Sequence, residues 1–208
     1  VRTGGRDRVQ HIGEAILVVL GAYVCAIVAV TALNPVVAAF AGGSETSTAL
    51  IIQTTIQFVA IGIVVGWYTK VVDVDRLIPA VVPSPRGAGL IFGGTVVLLG
   101  GQYVVNEILQ WAGFSPGANQ AVLAGVGNPI YFLVMIPVSL LFVGPAEELL
   151  FRGAVQGRLR QSWGRWPAII VATILFGLIH IPAVAGGFGA QISYALVAGI
   201  LGVLLGYL

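Results

Sequence analysis

Charge is what this sequence has least of. Of its 208 residues only 9% are Asp, Glu, Lys or Arg, while 58% are hydrophobic. A soluble domain carries roughly 25% charged residues. A surface this poor in charge would aggregate in water, so the solvent around most of the chain is lipid. Cysteine is nearly absent too. Cys25 stands alone in an apolar run, which excludes an internal disulfide and any Cys–His metal spacing; a buried, inert thiol is expected. The net charge of +2 gives no reason to expect a nucleic-acid partner. There is no internal repeat, and no segment long and polar enough for a separate soluble domain.

What is present is a series of long apolar stretches. A helix needs roughly 20 apolar residues to cross a bilayer. Six candidates occur, at 12–33, 49–68, 88–110, 129–160, 167–181 and 190–208. They predict an all-α, polytopic transmembrane helix bundle forming one domain. The first stretch follows a basic segment, Val1–His11. It is too long for a signal peptide, whose apolar region spans about 7–15 residues. The sequence opens on Val rather than Met and closes at Leu208 inside an apolar run. Both ends suggest a longer protein, with one or two further helices after the last.

The ten Lys and Arg residues test this arrangement. They are Arg2, Arg6, Arg8, Lys70, Arg76, Arg86, Arg152, Arg158, Arg160 and Arg165. With the N-terminus in the cytoplasm, they fall in the N-terminal tail, in the connection between the second and third helices, or in the region from the fourth helix to the fifth, on or leading toward the cytoplasmic side. The opposite connections, about 34–48, 111–128 and 182–189, have none, as the positive-inside rule requires. The segment Val71–Ile78 reads as interfacial.

One polar cluster sits where lipid would penalise it. After the apolar run Tyr131–Val143 comes Gly144-Pro145-Ala146-Glu147-Glu148-Leu149-Leu150-Phe151-Arg152. A charge at the centre of a membrane helix costs about 2.5–3.5 kcal/mol on insertion scales. Each Leu or Val returns only about 0.3–0.6 kcal/mol. Glu147, Glu148 and Arg152 must therefore face other helices or a wet cavity. If the helix continues to a turn near 163 and returns from Pro167, Glu147 and His180 lie roughly equal distances from that turn, each about 24–26 Å away. The returning helix is short and ends at Pro182, which biases Ile181 away from helix. The following Ala185-Gly186-Gly187-Phe188-Gly189 is not helical in character. Irregular backbone at membrane depth persists only when buried in protein or lining a cavity. Pro145 can kink the acid-bearing helix just before the two glutamates.

These residues limit the chemistry. Glu148 and Arg152 are four apart and can form an intrahelical ion pair, as Phe176 and His180 can share one helix face. Glu147, on an adjacent face, is then the carboxylate placed to accept a proton. A Glu and a His converging on one water can deprotonate it for attack on a peptide carbonyl. No Ser–His–Asp constellation, catalytic Cys or HExxH zinc motif occurs. Taken singly, each residue also has a structural reading. Glu148–Arg152 could be only an ion pair, His180 a satisfied core histidine, and Phe176 a packing residue. The pairs Gln53/Gln57 and Gln102/Asn106 are expected to hydrogen-bond between helices. Gly62/Gly66 and Gly202/Gly206 have the spacing of close helix packing. Glu107 lies near the outer end of its helix, where water can reach it. His11, near the membrane surface, has no assigned role.

Glu147-Glu148-x-x-x-Arg152 followed by Phe176-x-x-x-His180 resembles the first two motifs of the CPBP family, the CAAX proteases and bacteriocin-processing enzymes. The flanking text, EELLFRG and FGLIH, is similar to typical members, and the resemblance covers roughly Pro129 to Leu208. It implies that Glu147 and His180 activate the water. Glu148 and Arg152 would position that centre, and Phe176 would pack beside His180. The implied substrates are lipidated or membrane-bound peptides, among them prenylated CAAX proteins, and the implied surroundings are membrane lipid. A third family motif, a His followed four residues later by Asn or Asp, does not occur before Leu208, so the catalytic core 129–208 is expected to be C-terminally truncated. The family is often described as metalloproteases and a metal-independent glutamate mechanism is also argued; a divalent metal such as zinc stays open, although no closed or conventionally spaced ligand set is present. Two other readings compete with an intramembrane endopeptidase. One is a non-catalytic, peptide-binding or bacteriocin self-immunity membrane protein. The other is a small transporter with a proton relay, against which the missing inverted repeat counts.

Overall fold

The computed structural model describes residues 5–72 and 84–207. Arg2, Arg76, Pro83, Leu208 and the interfacial segment from position 73 onward lie outside them. Among the described residues the elements are helical, with a single antiparallel β-bridge between Asn119 and Val184. The helices are α1 (Gly5–Ala41), α2 (Ser47–Val71), α3 (Pro85–Trp111), the single turn α4 (Gln120–Leu123), α5 (Pro129–Trp163), α6 (Arg165–Ile179) and α7 (Phe188–Tyr207). A 3-10 turn, Ile181–Ala183, follows α6. Five of these segments are long and apolar enough to cross a membrane: α1, α2, α5, α6 with its 3-10 turn, and α7. The protein is an all-α integral membrane protein.

Local chemistry fixes where helices start and stop. The Thr46 hydroxyl accepts a hydrogen bond from the Ala49 N–H at 3.1 Å, capping α2. Ser84 does the same for α3 through Gly87, with Pro85 at the first helical position. Asn128 caps α5 through Tyr131, again followed by proline. Each cap satisfies an amide that the helix itself leaves without a partner. Gly164, at φ +79°, ends α5 in a conformation that suits glycine and lets the chain reverse into α6. At 37 residues α1 is longer than the 12–33 stretch, because its polar first turns extend past the apolar run and Pro35 forgoes only one backbone hydrogen bond.

The chain forms two compact units. The first holds α1, α2 and residues 121–168. Here Ala15, Val18, Val19, Ala22 and Ala26 form a buried stripe on α1. This stripe packs on α2, where Ala49, Ile61 and Val65 are buried, and on the second half of α5, where Leu150, Phe151, Ala154, Val155 and Leu159 are fully buried. Three alanines in the stripe let the helix axes approach closely, as membrane helices require without a hydrophobic drive between them. The opposite face of α1 exposes Leu17, Leu20, Val24, Ile27 and Val28, as suits a lipid-facing surface. Cys25 lies on that exposed side, which corrects the expectation of a buried thiol. Gln53 bonds across helices, donating to Asn34 of α1 at 2.8 Å. Near the N-terminus of α1, Glu14 is ion-paired with Arg158 of α5. Close by, His11 Nδ1 lies 2.8 Å from the Ser162 hydroxyl, and the Trp163 indole donates to the Arg8 carbonyl.

The second unit holds α3, the chain up to Gln120, and the chain from Ile169 onward. Gly177 of α6 meets α7 so closely that a Cβ there would come within 2.6 Å of the Ala195 carbonyl oxygen. From the other side, Gly202 of α7 lies against Thr173 and Phe176. Gly62 and Gly66 behave differently. Nothing lies within 4 Å of a Cβ built at either, so in the first unit this spacing makes no close helix contact. The connections on either side of the second unit's helices pair with each other. The Ala185 N–H donates to the Ala118 carbonyl at 2.9 Å, and the Gly117 N–H to the Ala190 carbonyl at 3.1 Å.

Candidate active site

The acidic pair sits in the first unit, on a helix that is not regular. α5 runs from Pro129 to Trp163 but widens twice into π-helix, at Ser139–Val143 and at Glu148–Gln156. The sequence explains the first widening. Pro137 and Pro145 have no N–H, so two links of the i→i−4 ladder are missing on either side of it. The Gly144 N–H reaches back to the Ser139 carbonyl instead, one residue further than in an α-helix. π-Bulges inside α-helices occur frequently at functional sites. Glu147 closes the short α-helical stretch Gly144–Glu147, and Glu148 opens the second π stretch.

The two glutamates are both half-buried, but their neighbours differ. Glu148 Oε1 lies 3.5 Å from Arg152 Nε, an i,i+4 ion pair. Glu147 is within electrostatic reach of Tyr23 on α1, and Arg152 within reach of both carboxylates. The wall behind them is apolar, with Leu150, Phe151 and Ala154 fully buried. A guanidinium beside two carboxylates offsets their charge, and their mutual repulsion, in surroundings where an unpaired ion would be costly.

The histidine belongs to the second unit. His180 ends α6, where the helix tightens into the 3-10 turn Ile181–Ala183 with Pro182 near its start. Its Nδ1 is 2.7 Å from the carbonyl oxygen of Phe176. A carbonyl can only accept, so Nδ1 carries a proton and donates it. The Phe176 ring packs edge-on against the imidazole, with centroids 4.6 Å apart, and is itself 8% exposed. Phe176 thus orients His180 through both its ring and its carbonyl. Sequence reasoning missed a neighbour on α7: the Tyr194 ring lies 6.1 Å from that of His180, and its hydroxyl accepts a hydrogen bond from Asn119 at 3.4 Å. No local signal links them, since Asn119 and Tyr194 are 75 positions apart in sequence.

Catalytic zinc takes three protein ligands. Among the described residues no three His, Cys, Asp or Glu side chains gather to hold an ion. The Arg152 guanidinium beside Glu148 would also repel a cation there.

Residues 129–208 match the family model described as Type II CAAX prenyl endopeptidase Rce1-like. Neither the curated proteins nor the solved structures gave a match. The matched segment contains Glu147, Glu148, Arg152, Phe176 and His180. Over residues 129–208 this chain is similar to the CAAX-type proteases that this family model describes.

Proposed function

We propose that this protein is an intramembrane endopeptidase that hydrolyses a peptide bond of a membrane-associated substrate, with the lipidated, prenylated CAAX-type peptide as the leading class. The observation that carries the reading is the hydrogen bond from His180 Nδ1 to the Phe176 carbonyl at 2.7 Å. It fixes the orientation of the imidazole and turns the second ring nitrogen to the task of orienting a water. Glu147 is the general base and His180 aligns the same water. This reading is supported by the equal distance of the two residues from the α5–α6 turn in sequence, and by the family match over both motifs. The water oxygen bonds to the scissile carbonyl carbon and its proton passes to Glu147. The tetrahedral intermediate then collapses, the C–N bond breaks, and the proton is delivered to the leaving amine. Arg152 holds Glu148 and balances the charge that changes beside it.

The basic residues of the chain support an N-terminus in the cytoplasm. No nucleic acid takes part.

The test is product analysis by mass spectrometry. The full-length protein in detergent is given a farnesylated CAAX-type peptide and, separately, the same peptide without the lipid. Release of a C-terminal fragment from the farnesylated peptide, and not by the Glu147→Gln variant, is the expected result. Intact peptides after prolonged incubation would overturn the peptidase reading and leave a peptide-binding protein.

A further inference from the structure

Tyr194 is presented to His180 by a hydrogen-bonded scaffold. The residue lies in the second turn of α7, half-buried, with its ring 6.1 Å from the imidazole and tilted by 31°. Its hydroxyl accepts from Asn119 Nδ2 at 3.4 Å. Asn119 is fixed in turn by the bridge to Val184. On one side of it the Ala118 carbonyl accepts from the Ala185 N–H at 2.9 Å. On the other the Gln120 side chain donates to the Pro182 carbonyl at 3.4 Å. Gln191 of α7 ties the same strip down by donating to the Val184 carbonyl at 3.2 Å. Gly117 lets the two connections meet, since a Cβ there would collide with the Ala185 carbonyl and the Val184 side chain. The segment that follows His180 and the segment that carries Asn119 therefore form one braced strip around the imidazole.

A phenol that accepts from an amide keeps its own proton to give. Preorganised donors aimed at developing charge lower a barrier most when they need not reorient during the reaction. Asn119 holds the hydroxyl in this state.

We infer that Tyr194 is a further catalytic residue, donating a hydrogen bond from its hydroxyl to the carbonyl oxygen of the scissile peptide as that oxygen gains charge. The inference rests on the peptidase reading above. The hydroxyl keeps its proton throughout, so the hydrolysis is balanced as written. Asn119 is a positioning residue that acts through Tyr194. The Phe176 bond orients the base side of the imidazole, and the Asn119 bond orients the donor beside it.

The experiment compares the full-length wild type with Tyr194→Phe and Asn119→Ala on the farnesylated peptide, with kcat and KM measured separately. Removing one oxyanion donor lowers kcat by about 10²–10³-fold. Tyr194→Phe is expected to show that loss with KM within about twofold of wild type and an unchanged melting temperature, because the ring stays. Asn119→Ala is expected to lose part of it. Full kcat in Tyr194→Phe, or a change confined to KM, overturns the inference and leaves the peptidase reading intact. A wild type that cleaves nothing overturns both.

Discussion

Glu147 and Glu148 are adjacent and chemically identical, so their surroundings must separate their roles. Glu148 has Arg152 at 3.5 Å, one turn further along the helix. On the proposed reading Glu147 is the base, and replacing it with Gln removes the proton acceptor while keeping size and polarity. We expect kcat to fall by about 10²–10⁴-fold, the usual contribution of a positioned acid or base, with the variant still inserted and folded. His180→Ala should cost nearly as much, because a water held by two groups loses its alignment without either; kinetics on a lipidated peptide check it. Much at this scale was legible beforehand. The spacing of Glu148 and Arg152 announces the ion pair, and the spacing of Phe176 and His180 announces their contact. The imidazole bond to the Phe176 backbone was not legible, since residue type carries no information about a carbonyl. Cys25 was misread for a related reason. In lipid, an apolar position does not distinguish inside from outside, and in α1 the small residues Ala15, Ala22 and Ala26 took the inside.

Among the elements, α5 and α6 carry the functional geometry in different ways. In α5 two prolines break the regular ladder, and the backbone answers with π-helix on both sides of Gly144–Glu147. At Pro145, where the sequence suggested a kink, the helical register changes. Pattern reading finds the proline but not the register, which depends on which carbonyl each amide finally reaches. In α6 the constraint is contact with α7. A Cβ at Gly177 would lie 2.6 Å from the Ala195 carbonyl oxygen, and backbone yields less readily than a side-chain tip. Gly177→Ala should therefore push the helices apart and destabilise the protein by about 1–3 kcal/mol, the usual cost of overpacking. Thermal unfolding in detergent measures this, and a melting temperature equal to wild type would refute the close contact. The same substitution at Gly62, where nothing lies within 4 Å, should leave it unchanged. GxxxG spacing alone could not distinguish the two sites, because what matters is the partner surface.

At the scale of the molecule, low charge and long apolar runs pointed to an all-α membrane protein, and five helices among the described residues are long and apolar enough to cross a membrane. The bonds that tie distant helices were harder to see. Glu14 and Arg158 are 144 positions apart and both partly buried, and no local spacing links them. Their pair joins α1 to α5, the helix of the acidic pair. Arg158→Ala leaves the Glu14 carboxylate without this partner, and a hydrogen bond between charged groups is worth about 1.5–3 kcal/mol. A fall in detergent melting temperature is expected, with most of it restored when Glu14 is also replaced by Gln. No restoration would show that the two charges do not act as a pair. The most direct test of the central claim is the steady-state rate of full-length protein, exhaustively chelated, on a fluorogenic prenylated CAAX-type peptide, beside its Glu147→Gln variant. The account predicts turnover by the wild type and a rate at least about 100-fold lower for the variant; equal rates from the two proteins would contradict it.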